Sequence, residues 1–381
     1  MVDPAKKLAN PSPKPTNPGP KAGQPKRTDP AKALPLLKTG FSTGTAATAA
    51  ALAAAIALKD GRIPDQVTVT LPKGGQIEIP IFEGTIQKCV QTVVVKEAGD
   101  DPDVTNRAHV GVILAERGQG LAIAGGEGVG RITKPGLVLP PGEWAINPVP
   151  RRMLAENLGP FLKETGLAVT VFIRDGQALA EKTLNPRLGV VGGLSVLGTS
   201  GLVKPFSHGA YVATIDGALS VARAIGLTEA VLTTGGRSEA FARELRPDLP
   251  EEAFVQIADY FQAGLAKAAQ KGFTAIGLAV FFGKAVKQAA GHGCTHAHKN
   301  DMDLKALAQW LHFLPNRLRD EIARSPTALA ALDLLKAHGQ ARSIEIVAQK
   351  ALSSARAYAG PKPRLWAVIL DFDGTVLAQA E

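Results

Sequence analysis

The 381-residue chain has little cysteine, few aromatic residues and no long run of apolar residues. Its two cysteines, Cys89 and Cys294, cannot form a disulfide framework, so we expect a reducing, cytoplasmic compartment. Aromatic residues make up 5% of the chain, too few for the stacking platforms of single-stranded nucleic-acid binders. The most apolar stretch, 46–58, is mostly alanine and too short to span a bilayer. We therefore expect neither a membrane nor a nucleic-acid partner.

The N-terminal segment differs in composition from the rest of the chain. Residues 1–30 hold eight prolines and six basic residues against two acidic ones, which supplies +4 of the net charge of +9. Such a segment has almost no large apolar side chain to bury, so it cannot offset the entropic cost of ordering. It also lacks the apolar core of a secretory signal. The composition predicts a disordered, basic, proline-rich tail over 1–33, with solvation favoured over contact with nucleic acid.

In the remaining chain, the pattern of predicted helices and strands changes near residue 205. Short β-branched runs and an alanine-rich helix over 46–59 predict an α+β domain over 34–205 with a mainly antiparallel sheet. Strands that alternate with helices predict a Rossmann-like α/β domain with a parallel sheet over 206–381. In that second domain we expect a long helix over 251–271 and a last strand over 365–370. The overall fold class is α/β.

Two motifs resemble sites of other enzymes. The segment 371–375 matches the nucleophile motif of haloacid-dehalogenase phosphatases, but only six residues follow it, which disfavours a phosphatase. The glycines of 126–130 match the pattern of common Rossmann methyltransferases, in which a helix follows. Pro135 and Gly136 would fall in the first turns of that helix, so this is not their first motif. Gly126 and Gly128 could still admit a cofactor by close backbone approach.

Histidines cluster over seven residues, where His292, Cys294, His296 and His298 alternate along the chain. On a strand, alternate residues lie roughly 6.5–7 Å apart, so one ion cannot collect all four side chains. We expect no metal bound by the protein, and His296 as a candidate to act in catalysis or contact substrate.

Basic residues recur beside glycine, proline and asparagine, which suits the capture of carboxylates or phosphates. For each one, the alternative is that it merely packs a turn. They are Arg131, Lys134, Arg151, Arg152, Lys182, Arg187 and Lys204.

Several long segments, in order, give a family resemblance. They are 39–46, 96–105, 125–136, 145–153, 182–193 and 197–205, with Gly283, Lys284, Lys287, Thr295 and His296 extending the match. The chain resembles the CbiD family, the cobalt-precorrin-5B C-1 methyltransferases, from about residue 36 to about 305. It departs from the family at Ala46, where a cysteine is usual, and around His296, where the family usually has His-Ser.

The resemblance implies methyl transfer from S-adenosylmethionine to carbon 1 of a cobalt-precorrin, with the cobalt carried by the substrate. Such an in-line displacement needs positioning more than a protein nucleophile. A non-catalytic tetrapyrrole or nucleotide-binding carrier is the alternative, and a homo-oligomer is left open. The candidate catalytic residues are Asp100, Asp101 and His296. The candidate substrate-binding residues are Thr43, Thr45, Arg131, Lys134, Arg151, Arg152, Arg187 and Lys204. For the cofactor we expect Gly235, Gly236, Arg237 and Glu239, directly after a parallel-type strand, with Gly126 and Gly128.

Overall fold

The computed structural model describes residues 37–296 and 302–381. The predicted tail over 1–33 lies outside the described residues. Residues 38–381 form one compact unit, and its helices and strands confirm the α/β class. A division of that unit at residue 205 stays a prediction. In the parts of the chain that the structure describes, no helix combines the length and the apolar character needed to cross a bilayer.

The first region is built on a five-stranded sheet. Its helices are α1 (Thr43–Asp60), α2 (Pro148–Leu162) and α3 (Gly176–Ala180); its strands are β1 (Gly40–Phe41), β2 (Gln66–Thr70), β3 (Gln76–Pro80), β4 (Glu83–Ile86), β5 (Val90–Val95), β6 (His109–Arg117), β7 (Leu121–Gly125), β8 (Arg131–Ile132), β9 (Gly166–Ile173), β10 (Val190–Val191) and β11 (Leu202–Val203). The order is β4-β5-β6-β9-β7, antiparallel except for β7 beside β9. The mainly antiparallel sheet is confirmed. The pairs β1–β11, β2–β3 and β8–β10 form small antiparallel ribbons.

Helix α1 lies against β5, β6 and α2, with its alanines buried. The Ser42 hydroxyl caps its start by accepting from the Thr45 N–H at 3.2 Å. Gly61, at φ +68°, ends it in the left-handed conformation that glycine adopts most readily. Small side chains let the sheet approach closely, so that the Thr92 hydroxyl of β5 donates to the Ala50 carbonyl at 2.6 Å.

The second region is a parallel sheet between helices. Its strands are β12 (Glu229–Thr233), β13 (Phe254–Gln256), β14 (Ala275–Phe281), β15 (Arg364–Leu370) and β16 (Val376–Ala380); its helices are α4 (His208–Ala224), α5 (Gly236–Leu245), α6 (Phe261–Gln270), α7 (Phe282–Ala289), α8 (Leu304–Trp310), α9 (Asn316–Arg324), α10 (Ala328–Ala337) and α11 (Ala341–Ala359). The order is β13-β12-β14-β15-β16, and only β16 runs antiparallel to its neighbour. Alternate strand residues bury opposite faces: Leu232 and Leu278 pack with α4 and α6, whereas Val231 and Ala279 pack with α5.

The long helix predicted over 251–271 is wrong. A 3-10 turn at Glu251–Ala253 leads into β13, and α6 begins only at Phe261. Bulky and β-branched residues fit a pleated strand better than a helix, and Phe254 pairs with Val231 in the parallel ladder. Ala258, at φ +45°, then turns the chain before α6.

Candidate functional site

A cleft of about 520 Å³ opens at the carboxyl edge of the parallel sheet. The chain leaves β12 for β13 on one side and returns to β14 on the other, so β12 and β14 flank the point where the connections diverge. Sheets of this class bind ligands at that point. The cleft is lined by Thr234, Gly235, Gly236, Arg237, Ser238, Phe281, Gly283, Lys284, Lys287, Thr295, Met302 and Phe372. Three of the predicted cofactor residues, Gly235, Gly236 and Arg237, are therefore in the cleft wall.

The turn after β12 presents backbone rather than side chains to the cleft. The Ser238 hydroxyl accepts from the Thr234 N–H at 3.1 Å and lies 3.0 Å from the Gly235 carbonyl, which fixes the turn. A Cβ built on Gly235 would meet no atom within 4 Å, and one on Gly236 only Nε2 of Gln256, at 3.8 Å. Because α5 begins here, its first N–H groups have no partner within the helix, and such an end favours an anion.

The opposite wall is cationic and hydrogen-bonded. Lys284 Nζ donates to Oδ1 of Asp259, and the Thr295 hydroxyl donates to the same oxygen at 2.8 Å. Lys287 Nζ donates to the Thr295 carbonyl at 3.2 Å. Burial alone would raise the pKa of Asp259, but the hydrogen bonds from Lys284 and Thr295 and the charge of Lys284 outweigh it and lower that pKa. Asp259 is thus held as a carboxylate that orients this wall.

Aromatic rings form a third side of the cleft. Phe281 and Phe372 stack with ring centroids 5.1 Å apart and planes inclined by 28°. The Arg237 guanidinium lies 5.5 Å from the Phe372 ring centroid and donates to the Phe372 carbonyl. Phe372 belongs to the segment 371–375, which forms the turn between β15 and β16, and Asp371 there pairs with Lys336 at 2.5 Å. The segment that resembles a phosphatase motif therefore supplies an aromatic side chain to the cleft.

Arg187 and Glu239, which were predicted to bind ligands, form an ion pair with each other. Nη1 of Arg187 lies 2.7 Å from both carboxylate oxygens of Glu239. Their side chains are 15% and 7% exposed. Arg187 was expected to hold substrate and Glu239 to hold the cofactor, but the structure gives each an internal partner, and neither lines the cleft.

Two further basic residues have partners within the protein. Lys134 Nζ lies 2.6 Å from a carboxylate oxygen of Glu252. Arg131 donates to the Gly142 carbonyl at 2.6 Å, and its guanidinium carbon lies 3.7 Å from the Trp144 ring centroid. For both, contact with substrate stays a prediction.

Arg151 and Arg152 differ although they are neighbours at the start of α2. Arg151 donates to the Ile146 carbonyl at 2.8 Å and to the Glu143 carboxylate at 3.0 Å, which ties the helix to the preceding loop. Arg152 is exposed, and its nearest acidic partner is Glu156 at 3.8 Å, one turn along. Of the pair, only Arg152 projects from the surface as a ligand-binding residue would.

The predicted threonines and glycines of the first region serve its packing. Thr43 and Thr45 are buried; the Thr45 hydroxyl donates to the Gly201 carbonyl at 2.7 Å, and the Thr43 hydroxyl accepts from the Leu197 N–H at 3.0 Å. They join α1 to the loop before β11. Gly126 and Gly128 lie in the turn after β7, where Gly126 N–H donates to the Val171 carbonyl and Gly128 accepts from the Leu194 N–H. None of the four lines the cleft.

Two of the candidate catalytic residues, Asp100 and Asp101, bind backbone N–H groups. Asp100 accepts from the Lys38 N–H at 2.6 Å, and Asp101 accepts from the Phe206 N–H at 2.9 Å. Exposed His296 follows Thr295 at the edge of the cleft, whereas His298 lies outside the described residues. Within 37–296 and 302–381, no three His, Cys, Asp or Glu side chains are grouped so as to hold a metal ion.

Sequence reasoning missed a group of aromatic side chains next to Asp259. The rings of Tyr211 and Tyr260 stack with centroids 5.0 Å apart, and the Tyr260 hydroxyl lies 2.9 Å from Nδ1 of His208. Burial, with the charge of Asp259 nearby, raises the pKa of both tyrosines. The wrongly predicted helix over 251–271 placed Tyr260 inside a helix. In the structure Tyr260 follows β13 at the carboxyl edge of the sheet, where site residues are expected.

The chain is similar to known proteins over nearly its whole length. The family model CbiD matches residues 31–205, and the model CbiD, C-terminal domain, matches residues 294–381. Proteins named cobalt-precorrin-5B C(1)-methyltransferase are 40% identical in Pelobacter propionicus (90% of this chain, 95% of the relative) and 41% identical in Thermus thermophilus (88% and 92%). The crystal structure of a cobalamin biosynthesis protein (cbiD) from Archaeoglobus fulgidus is 26% identical, with a TM-score of 0.37 over 66% of this chain and 79% of that one.

Proposed function

This chain belongs to the CbiD family, and we propose that it transfers the methyl group of S-adenosylmethionine to carbon 1 of cobalt-precorrin-5B, giving cobalt-precorrin-6A in cobalamin biosynthesis. The observation that supports a site for this reaction is the cleft at the carboxyl ends of β12 and β14. An open glycine turn begins α5 there. A cytoplasmic location is the expectation that low cysteine content supports.

The residues of the cleft fit S-adenosylmethionine. Its carboxylate suits the N–H groups at the start of α5, which Gly235 and Gly236 leave uncovered. Its adenine suits the apolar, stacked rings of Phe281 and Phe372. The cleft volume of about 520 Å³ lies within the range of roughly 300–1,000 Å³ that small-molecule sites span.

When bound, S-adenosylmethionine supplies an electrophilic methyl group on a sulfonium. The chain's own residues then have to position the acceptor, orient it and exclude water. Lys284 and Lys287 offer charge to the carboxylates of the macrocycle, and Asp259 and Thr295 fix their ammonium groups. Phe281 and Phe372 exclude water from one side. The cobalt belongs to the substrate.

Activity is tested with the purified protein, kept anaerobic, with cobalt-precorrin-5B and S-adenosylmethionine. We expect a product heavier by one methyl group in the mass spectrum. Binding of the precorrin without methylation would support the carrier alternative instead.

Gly235→Ala tests the site without disturbing the fold. The φ of 164° is extended backbone that alanine adopts, and the new Cβ would meet no protein atom within 4 Å. The methyl group would instead obstruct a ligand at the turn. We expect S-adenosylhomocysteine binding, measured by isothermal titration calorimetry, to weaken about tenfold, or ~1.4 kcal/mol, with an unchanged melting temperature.

Gly159→Ala is the matched control. Gly159 lies within α2, and a Cβ there would also meet no atom within 4 Å. This variant should bind S-adenosylhomocysteine like the wild type and gain ~0.5–1 kcal/mol of stability. Wild-type affinity in Gly235→Ala as well would remove the turn from the cofactor site.

A further inference from the structure

An aromatic surface adjoins the cleft at the same edge of the sheet. Tyr211 projects from α4 and Tyr260 follows β13, and their rings stack with planes inclined by 23°. The hydrogen bond between the Tyr260 hydroxyl and Nδ1 of His208, one turn before Tyr211, fixes the second ring to the same helix. Tyr211 is partly exposed. The pair is therefore a rigid, flat surface that solvent reaches.

Phe206 stands just before α4 in a conformation that aromatic residues avoid. Its φ is +55°, in the left-handed region, and the residue is 66% exposed. Phe206 lies one residue before the Ser207 cap, at the start of the helix that carries Tyr211. Strained backbone concentrates at binding sites, where surrounding contacts hold it. The Asp101 carboxylate, which accepts from the Phe206 N–H at 2.9 Å, is such a contact.

Cationic residues lie next to these rings. Lys204 is exposed two residues before Phe206. Lys284 is bonded to Asp259, the residue before Tyr260. Flat apolar rings bordered by cations match a planar macrocycle whose periphery bears carboxylates, because the ring stacks while the carboxylates meet the charges. An uncharged apolar partner would desolvate the exposed Lys204 ammonium without offering it a counter-charge.

The aromatic surface and the cleft share one wall. The Asp259 carboxylate holds Lys284 and Thr295, which line the cleft, and the adjacent Tyr260 belongs to the tyrosine stack. A methyl acceptor on the aromatic surface would therefore border a methyl donor in the cleft.

We propose that Phe206, Tyr211 and Tyr260 form an aromatic platform that receives one face of the cobalt-precorrin macrocycle, with Lys204 and Lys284 meeting its carboxylates. The assignment rests on the proposed function for the identity of the ligand. Asp101 acts in it as a positioning residue that holds Phe206, rather than as a proton acceptor.

The test uses the full chain and cobalt uroporphyrin III, a planar cobalt tetrapyrrole with carboxylates on its periphery. Its Soret band reports binding, and calorimetry with S-adenosylhomocysteine reports the cleft separately. Phe206→Leu and Tyr211→Leu should each weaken porphyrin affinity about tenfold and leave S-adenosylhomocysteine affinity within twofold of wild type. Tyr260→Phe keeps the ring and loses the hydroxyl bond, so its porphyrin affinity should change less than about threefold.

Phe82→Leu is the matched control, because Phe82 is also an exposed phenylalanine, 55% accessible, and lies in the first region. It should leave both affinities unchanged. Asp101→Ala should lower porphyrin affinity, and Asp101→Asn, which keeps an acceptor oxygen for the Phe206 N–H, should restore most of it.

Wild-type porphyrin affinity in both Phe206→Leu and Tyr211→Leu would overturn the platform. So would parallel loss of both ligands with a lower melting temperature, since the rings would then be structural. A change of oligomeric state with porphyrin affinity retained would assign the surface to a second copy of the chain and overturn the proposal too. If the variants lose porphyrin affinity specifically but the wild type shows no methyl transfer, the platform is supported and the proposed methyltransferase function fails.

Discussion

The Arg187–Glu239 ion pair is expected to hold the loop before β10 against α5. Arg187 reaches both Glu239 carboxylate oxygens at 2.7 Å, and its Nη2 donates to the Glu251 carbonyl at 3.0 Å and to the Phe254 carbonyl. Arg187→Met keeps much of the side-chain length but leaves the buried Glu239 carboxylate without its cation. The substitution therefore separates an internal role of Arg187 from the capture of a substrate carboxylate.

The expected magnitude follows from the burial of the pair. Removing one partner of a buried ion pair costs ~3–5 kcal/mol, because the remaining charge stays desolvated. Arg187 keeps slight exposure, so we expect roughly 3 kcal/mol at the low end of that range. With typical unfolding entropy per residue, a unit of this size should melt about 4 °C lower. Arg187→Met combined with Glu239→Leu removes both charges and should recover most of the loss.

Thermal melts of the wild type, both single variants and the double variant form a complete cycle. We expect a coupling energy of at least ~1.5 kcal/mol between the two positions. Losses that add to within ~0.5 kcal/mol would refute the pairing as a source of stability. A Met variant with wild-type melting temperature but weakened binding of cobalt uroporphyrin would restore Arg187 to the substrate site.

Two further predictions concern single contacts. The buried Lys96 ammonium, 1% exposed, lies 2.6 Å from Asp103 and, with hydrogen bonds from Thr105, lowers the pKa of Asp103 although burial alone would raise it. Lys96→Met should cost ~3 kcal/mol of unfolding free energy at pH 7. Because the pKa of Asp103 is lower in the folded state than in the unfolded state, the stability that ionised Asp103 contributes is present above about pH 4. It is lost as the pH falls through the folded-state pKa. Urea melts should therefore show a smaller deficit at pH 3 than at pH 7, and an equal deficit would contradict the assignment. Arg151→Ala should cost ~1.5–3 kcal/mol in thermal melts, against less than ~0.5 kcal/mol for Arg152→Ala, and equal losses would contradict the different packing of the two arginines.

Features fixed by neighbouring residues could be predicted from the sequence. The alanine run of α1 marked a buried helix, although its start at the Ser42 cap lies earlier than the predicted one. A strand followed by two glycines and the start of a helix indicated the turn at Gly235–Gly236. The structure places this turn in the cleft wall. Both depend on patterns of a few adjacent residues, and burial reinforces them.

The partners of charged side chains could not be predicted in this way. Arg187 and Glu239 are 52 residues apart, and each alone has the surroundings of a ligand-binding residue. Only the tertiary fold brings their charges together. The same holds for Lys134 and Glu252, which are 118 residues apart. An arginine or lysine beside a turn is thus an ambiguous signal, because its charge pairs with the protein's own Glu as well as with the carboxylate of a ligand.

The segment 371–375 shows how tertiary context decides what a short motif does. Its residues form a tight turn, with Gly374 at φ +94° and the Asp373 carboxylate accepting from the Thr375 N–H at 2.9 Å. Such a turn after a parallel strand can present an aspartate to a ligand, but here Lys336 pairs with Asp371. The following strand, β16, folds back antiparallel to β15, and Phe372 is left against Phe281 at the cleft. The carbonyl of Phe372 binds Arg237 at the start of α5, so the last strands of the chain complete a site whose glycine turn lies well over a hundred residues earlier. The cleft is therefore a property of the whole parallel sheet, and no single motif in the sequence could have defined it.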